Sequence, residues 1–192
     1  MTGSAIRVGK DHYRKGAGMG GADMFGSASE ADGTPGAEAR ARQRVYLVIM
    51  DDTEEAARAL RFAARRAVRT GGAVHILALV PRQEFVVFGS IQATIEAEAR
   101  ERAEDLARAA AGSLADESGL RPAVAVRTGS GPQVVREYLA EHPEVSALVL
   151  GAAAEGNPGP LVTHFTSHLG QLPCVLMIVP GGIDERGIDS FS

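Results

Sequence analysis

A glycine-rich loop, Gly151 to Thr163 (GAAAEGNPGPLVT), follows the apolar run Val145 to Leu150, and a second apolar run, Val45 to Met50, ends in the carboxylate Asp51. Where a buried strand hands over to a glycine-rich turn and then a helix, backbone N–H groups and the positive helix end converge on a place where a phosphate can sit. A nucleotide pocket is the leading chemistry that these residues suggest. Each also has a plainer reading. Asp51 beside Asp52 can be a turn or cap residue, and glycine with proline marks ordinary turns.

Other reactive side chains carry less. His164 and His168 stand four apart, the spacing at which two imidazoles on one helix face can share a metal ion, but no third ligand at a familiar spacing accompanies them. No metal is assigned to them. Cys174 has no local His or Asn pattern and reads as a small buried hydrophobe. A P-loop GxxxxGK[ST], a nucleophile elbow GxSxG and a GxGxxG after the first strand are absent. A phosphoryl receiver needs an Asp after strand three and a Lys after strand five; Thr128 and Pro180 stand there. An enzyme reading has no residues to rest on, and a non-catalytic protein is expected.

The elements that must position Asp51 and the loop alternate. VYLVIM (45–50) is a continuous apolar run, as expected for a strand covered on both faces of a parallel sheet. Asp52 with Glu55 forms a capping box for a helix in which Ala56, Ala59, Leu60, Ala63 and Ala67 share one face, while Arg58, Arg61, Arg65 and Arg69 share the other. Gly71 and Gly72 stop it. Strand Ala73 to Val80 follows, then a loop whose Phe85, Val86, Val87 and Phe88 are too apolar for free solvent. A long helix, about 90 to 117, carries a core stripe at Ile95, Ala99, Leu106, Ala110 and Leu114. Strand Ala123 to Arg127, a helix from Pro132 to Glu141, strand Val145 to Leu150, a helix from Pro160 to Leu169 and strand Cys174 to Val179 complete five strands and four helices. Strict alternation with short links predicts a doubly wound five-stranded parallel sheet with helices on both faces. Ligands bind such a sheet outside the carboxyl ends of its strands, where strand order reverses. Asp51 and Gly151 both sit at carboxyl ends.

Composition bounds the rest. A chain of 192 residues with 45% hydrophobic content suggests one domain with a sizeable core. A net charge of -4 gives nucleic acid or anionic lipid no basic patch to meet, so no nucleic-acid partner is expected. One cysteine excludes an internal disulfide and fits a reducing compartment. No run approaches the roughly 18 apolar residues of a membrane span, and the N-terminus lacks a secretory signal. The expected location is cytoplasmic, without membrane contact. Residues 1–44 hold dense glycine and no lasting period, and are expected to be a disordered tail. An overlong gene start, with Met19 or Met24 as the true one, is the alternative.

VYLVIMDDTEEAARALRFAARRAVRTGGAVHILALV, VRTGSGPQVVREYLAEHPEVSALVLGA and LPCVLMIVPG together resemble the universal stress protein family over residues 45–181, leaving 182–192 as a C-terminal tail. The resemblance implies a Rossmann-like sheet of the adenine nucleotide alpha hydrolase-like type. It also implies a stress-response role as a dimeric interaction or regulatory module. In the family's nucleotide-binding branch a loop G-x2-G-x9-G-S/T holds the phosphates of ATP or AMP, with magnesium. On that pattern Gly151 is the first glycine and Thr163 the hydroxyl, Ala154 and Val162 replace two glycines, and Gly156 and Gly159 are their substitutes in a shorter loop. Asp51 would meet a ribose hydroxyl or magnesium, Val80 the adenine and Gly129 the ribose. The altered loop favours the nucleotide-free module; the ATP/AMP sensor is its alternative. The last strand, Cys174 to Val179, has no charge and no proline and lies at a sheet edge in the family, which implies a homodimer joined through it.

Overall fold

The computed structural model describes residues 43–82 and 89–192. Residues 1–42 of the expected tail and the apolar stretch Phe85 to Phe88 lie outside the described residues.

Five strands, β1 (Val45–Met50), β2 (Ala73–Val80), β3 (Ala123–Thr128), β4 (Val145–Ala152) and β5 (Val175–Pro180), form one parallel sheet in the order β3-β2-β1-β4-β5. The register pairs Val45 with Ala73 on one side and with Val145 on the other. Strand order reverses at the β1/β4 boundary. All six residues of β1 are buried. Alternation sends Tyr46, Val48 and Met50 into one apolar layer and Val45, Leu47 and Ile49 into the other, which is why a central parallel strand reads as an unbroken apolar run.

The first layer is closed by α1 (Glu54–Thr70) and α2 (Gly89–Ser118). Small side chains on α1 (Ala56, Ala59, Ala63, Ala64 and Ala67, with Leu60) let it lie close on the sheet. The expected Asp52–Glu55 capping box is replaced by Thr53, whose hydroxyl accepts from the Ala56 N–H at 3.2 Å. Asp51 is turned to that cap instead, accepting from the Thr53 N–H at 3.1 Å and from its hydroxyl at 2.5 Å. Gly71 ends α1 as expected.

In α2 the expected stripe holds only toward the C-terminus. Leu106, Ala107, Ala110 and Leu114 join the core, whereas Ile95 and Ala99 remain outside it. The reason is length. A helix of 30 residues spans about 45 Å, against roughly 20–27 Å for strands of six to eight residues. Entering at the carboxyl edge, α2 overhangs it by its first turns.

The second layer packs α3 (Gly131–Glu141) and α4 (Pro160–Ser167) through Val134, Val135, Tyr138, Leu139, Val162 and Phe165. A short 3-10 turn, Leu169–Gln171, finishes the stretch expected to be one helix to Leu169. The 182–192 segment, expected as a tail, contains a further helix, α5 (Glu185–Phe191). Asp184 caps it through the Gly187 N–H at 2.8 Å, and Ile188, 1% exposed, anchors it. The arginine face of α1 receives it. Arg61 meets Glu185 at 2.7 Å, and Arg69 donates to the carbonyls of Asp189 (2.6 Å) and Ser192. Among the described residues no helix is long and apolar enough to cross a membrane.

Candidate functional site

At the carboxyl edge, where strand order reverses, the ends of β1 and β4 face the start of α4 across a cavity of about 170 Å³. Asp51, Gly151 and Gly159 line it, together with Thr53, Glu55, Pro158, Pro160 and Leu161. Three of the seven residues singled out in the sequence are thus brought together. Val80 and Gly129 belong to the neighbouring strand ends: the Gly129 N–H donates to the Val80 carbonyl at 3.0 Å, and Gly129 lines a separate cleft of about 580 Å³ with Thr128, Ser130 and Arg82. Val80 itself is 2% exposed, its side chain turned into the protein. Gly156 and Thr163 line neither space.

What each glycine does follows from its surroundings. A Cβ on Gly151 would fall 2.1 Å from the Glu55 carbonyl oxygen, so this residue is glycine because the first turn of α1 lies directly on β4. Gly156 has φ 73° and open space around it, the signature of a turn that needs a left-handed residue.

The loop between β4 and α4 spends its polar groups on itself. The Asn157 carboxamide oxygen accepts from the Gly159 N–H at 3.0 Å and from the Thr163 hydroxyl at 3.3 Å. The Ala153 N–H goes to the Pro158 carbonyl at 3.3 Å. Gly159 is the N-cap of α4, so Thr163 sits a full turn inside the helix, its N–H donating to the Gly159 carbonyl at 3.0 Å. Pro160, at the first helical position, has no N–H to offer. A helix start binds an anion through its free N–H groups. Here the Gly159 N–H is bonded to Asn157 and Pro160 has none, which leaves only those of Leu161 and Val162.

Sequence reasoning missed Asn157, and Leu161 beside it. Leu161 lines the smaller cavity and lies 3.1 Å from where a Cβ on Gly131 would stand, with Leu79 at 3.4 Å, and Gly131 lines the larger cleft. Leu161 therefore stands between the two spaces. The signal for Asn157 was present in the Asn-Pro-Gly turn; nothing local marked Leu161. Among the described lining residues, the smaller cavity carries the carboxylates Asp51 and Glu55 and no cationic side chain.

The remaining candidates have local partners. His164 and His168 stack with centroids 4.5 Å apart, and an Arg136 guanidinium nitrogen lies 2.6 Å from His164 Nε2. Desolvation, then His168 and Arg136, hold His164 below the usual imidazole range. Cys174 is half-buried, and burial pushes its thiol up.

Residues 44–180 match the model of the universal stress protein family. Among solved structures the chain is similar to the universal stress protein UspA from Lactobacillus plantarum at 20% identity, covering 72% of this chain and 98% of that one with a TM-score of 0.61. It is also similar to a universal stress protein family member from Burkholderia pseudomallei, at 14% identity over 71% and 95% of the two chains with a TM-score of 0.56. Another similar chain, a universal stress protein family protein from Arabidopsis thaliana solved with AMP bound, is 16% identical over 71% and 91% with a TM-score of 0.49. Among curated proteins none matches. At these identities the likeness to the first two speaks to the fold, a five-stranded parallel sheet clad by helices.

Proposed function

Because the chain belongs to the universal stress protein family, we propose that it works as a non-catalytic interaction module of the stress response, paired into a homodimer along β5, with no nucleotide in its carboxyl-edge cleft. The observation that carries this reading is the closed loop: Asn157 holds the Gly159 N–H and the Thr163 hydroxyl that a phosphate would need. Size and charge support it. Small-molecule pockets usually enclose about 300–1,000 Å³; the cavity at Asp51, about 170 Å³ beside two carboxylates, suits neither a triphosphate nor its charge, and Leu161 stands between it and the larger cleft of about 580 Å³ at Gly129.

The ATP/AMP sensor is kept as a second reading on one observation. Asp51, Gly151 and Gly159 converge where strand order reverses, the position at which doubly wound sheets bind ligands. Isothermal calorimetry of the full chain with Mg-ATP and with AMP separates the two. Absence of heat and of thermal shift at millimolar nucleotide is expected. Measurable binding overturns the nucleotide-free reading, and Thr163→Ala should then weaken it by about 1 kcal/mol, the scale of one lost hydrogen bond.

The pairing rests on the edge position of β5 and on two exposed apolar side chains there, Val175 at 58% and Ile178 at 40%. An apolar edge invites another strand unless it is covered. The other edge, β3, also exposes Val124 at 45%, but it carries Arg127, held by both oxygens of Glu141 at 2.9 and 2.5 Å, and such a charge blunts edge pairing.

A further inference from the structure

At the opposite, amino edge of the sheet three metal-ligating side chains meet that are far apart in sequence. His75 lies near the start of β2, His142 caps the C-terminus of α3, and Glu144 precedes β4. One donor atom from each falls within 4.8 Å of the other two. The Nδ1 of His142 is 2.9 Å from Glu144 Oε1, and the His75 and His142 rings meet edge to face with centroids 5.4 Å apart. The Nδ1 of His75 is 3.0 Å from the Tyr138 hydroxyl, so its other nitrogen is the one left for a ligand.

We propose that His75, His142 and Glu144 form a binding site for a divalent transition-metal ion, zinc foremost, at the amino edge of the sheet. Two imidazoles and one carboxylate are borderline donors of the kind zinc takes, and three protein ligands leave a fourth tetrahedral position open. Bonds of about 2.0–2.2 Å set tetrahedral donors about 3.4 Å apart, so donors up to 4.8 Å apart must close by as much as about 1.4 Å, while His142 Nδ1 and Glu144 Oε1, at 2.9 Å, open slightly. Glu144 is exposed and His142 half-buried, and the Glu144 side chain can supply most of that movement. The ion takes the place of the hydrogen that His142 and Glu144 now share. When the ion binds Nδ1, the neutral imidazole carries that hydrogen on Nε2 instead. Tyr138 acts from outside the ligand set: its hydroxyl fixes the His75 ring, the arrangement that metal-bound histidines generally show. The nearby cation, Arg127, is already held by Glu141, 5.3 Å above the Tyr138 ring, and so is neutralised at the site. Burial, with His142 second, keeps His75 below the usual imidazole range, and a backbone hydrogen bond at Glu144, followed by that from His142, holds the Glu144 carboxyl below the usual carboxylate range.

Calorimetric titration of the full chain with zinc, and visible absorption after loading with cobalt, test the assignment. One ion per chain is expected, with cobalt bands of a four-coordinate N/O site and a raised melting temperature. Glu144→Gln, at an exposed position, and His142→Ala, whose folding is checked by its melting temperature, should each weaken binding at least tenfold. Tyr138→Phe should weaken it by about 10-fold or more through loss of the outer hydrogen bond. His164→Ala should leave it unchanged. No binding at millimolar zinc, binding unaltered in His142→Ala and Glu144→Gln, or loss in His164→Ala would each overturn the proposal.

Discussion

Gly151 and Gly156 look alike in the sequence, two glycines in a loop suited to a phosphate, yet the forces acting on them differ. At Gly151 the contact is backbone against backbone: a methyl group would overlap the Glu55 carbonyl and lift the first turn of α1 from β4. Gly151→Ala should therefore destabilise the chain by about 3 kcal/mol, the upper range for forced overpacking. At Gly156 only the sign of φ matters, and asparagine tolerates the left-handed region. Gly156→Asn should leave stability within about 0.5 kcal/mol. Urea denaturation of both variants checks the pair, and equal losses would show that the loop is held by something other than these two causes. Asp51 teaches the same lesson: its carboxylate serves the Thr53 cap before any ligand.

Among the elements, α5 shows how a C-terminal segment becomes part of the fold. Seven residues are too few to form a stable helix alone. Its helicity therefore reports its docking on α1, through Ile188 and the carbonyls of Asp189 and Ser192 held by Arg69. Ile188→Ala removes a fully buried anchor and should cost about 2 kcal/mol or more, which corresponds to a roughly 30-fold larger equilibrium constant for local opening. Hydrogen exchange reads this at the Ile188 and Ser192 amides, now bonded to the carbonyls of Asp184 and Ile188 at 3.0 Å each. Those two amides should lose protection while the amides of β1 keep theirs. Unchanged exchange would mean that the arginine contacts alone hold the helix.

The scale of the whole molecule is where the sheet's two edges matter. One is marked by a charged pair, the other by exposed Val175 and Ile178. If the chain pairs along β5, Ile178→Lys sets two like charges facing each other across a two-fold axis and should produce monomers. Met177 packs partly against the core, so Ile178 is the cleaner position. Size-exclusion chromatography with light scattering should give twice the 20.0 kDa of one chain for the wild type and a single chain for the variant. A wild-type mass of one chain at micromolar concentration would sink the pairing.

Strand and helix alternation, the burial of VYLVIM, the alanine stripe of α1 and the glycine that ends it were all legible in the residues, because periodicity and capping are written within a few positions of one another. So was the absence of the common catalytic motifs. Partnerships between distant elements were not. That Glu55 fills the space above Gly151, that Leu161 reaches Gly131, that the arginine face of α1 receives α5, and that His75 meets His142 and Glu144 all depend on helices laid across a sheet. A face pattern tells which side of an element is covered; what covers it is decided by register and crossing, which bring together residues that no local spacing relates.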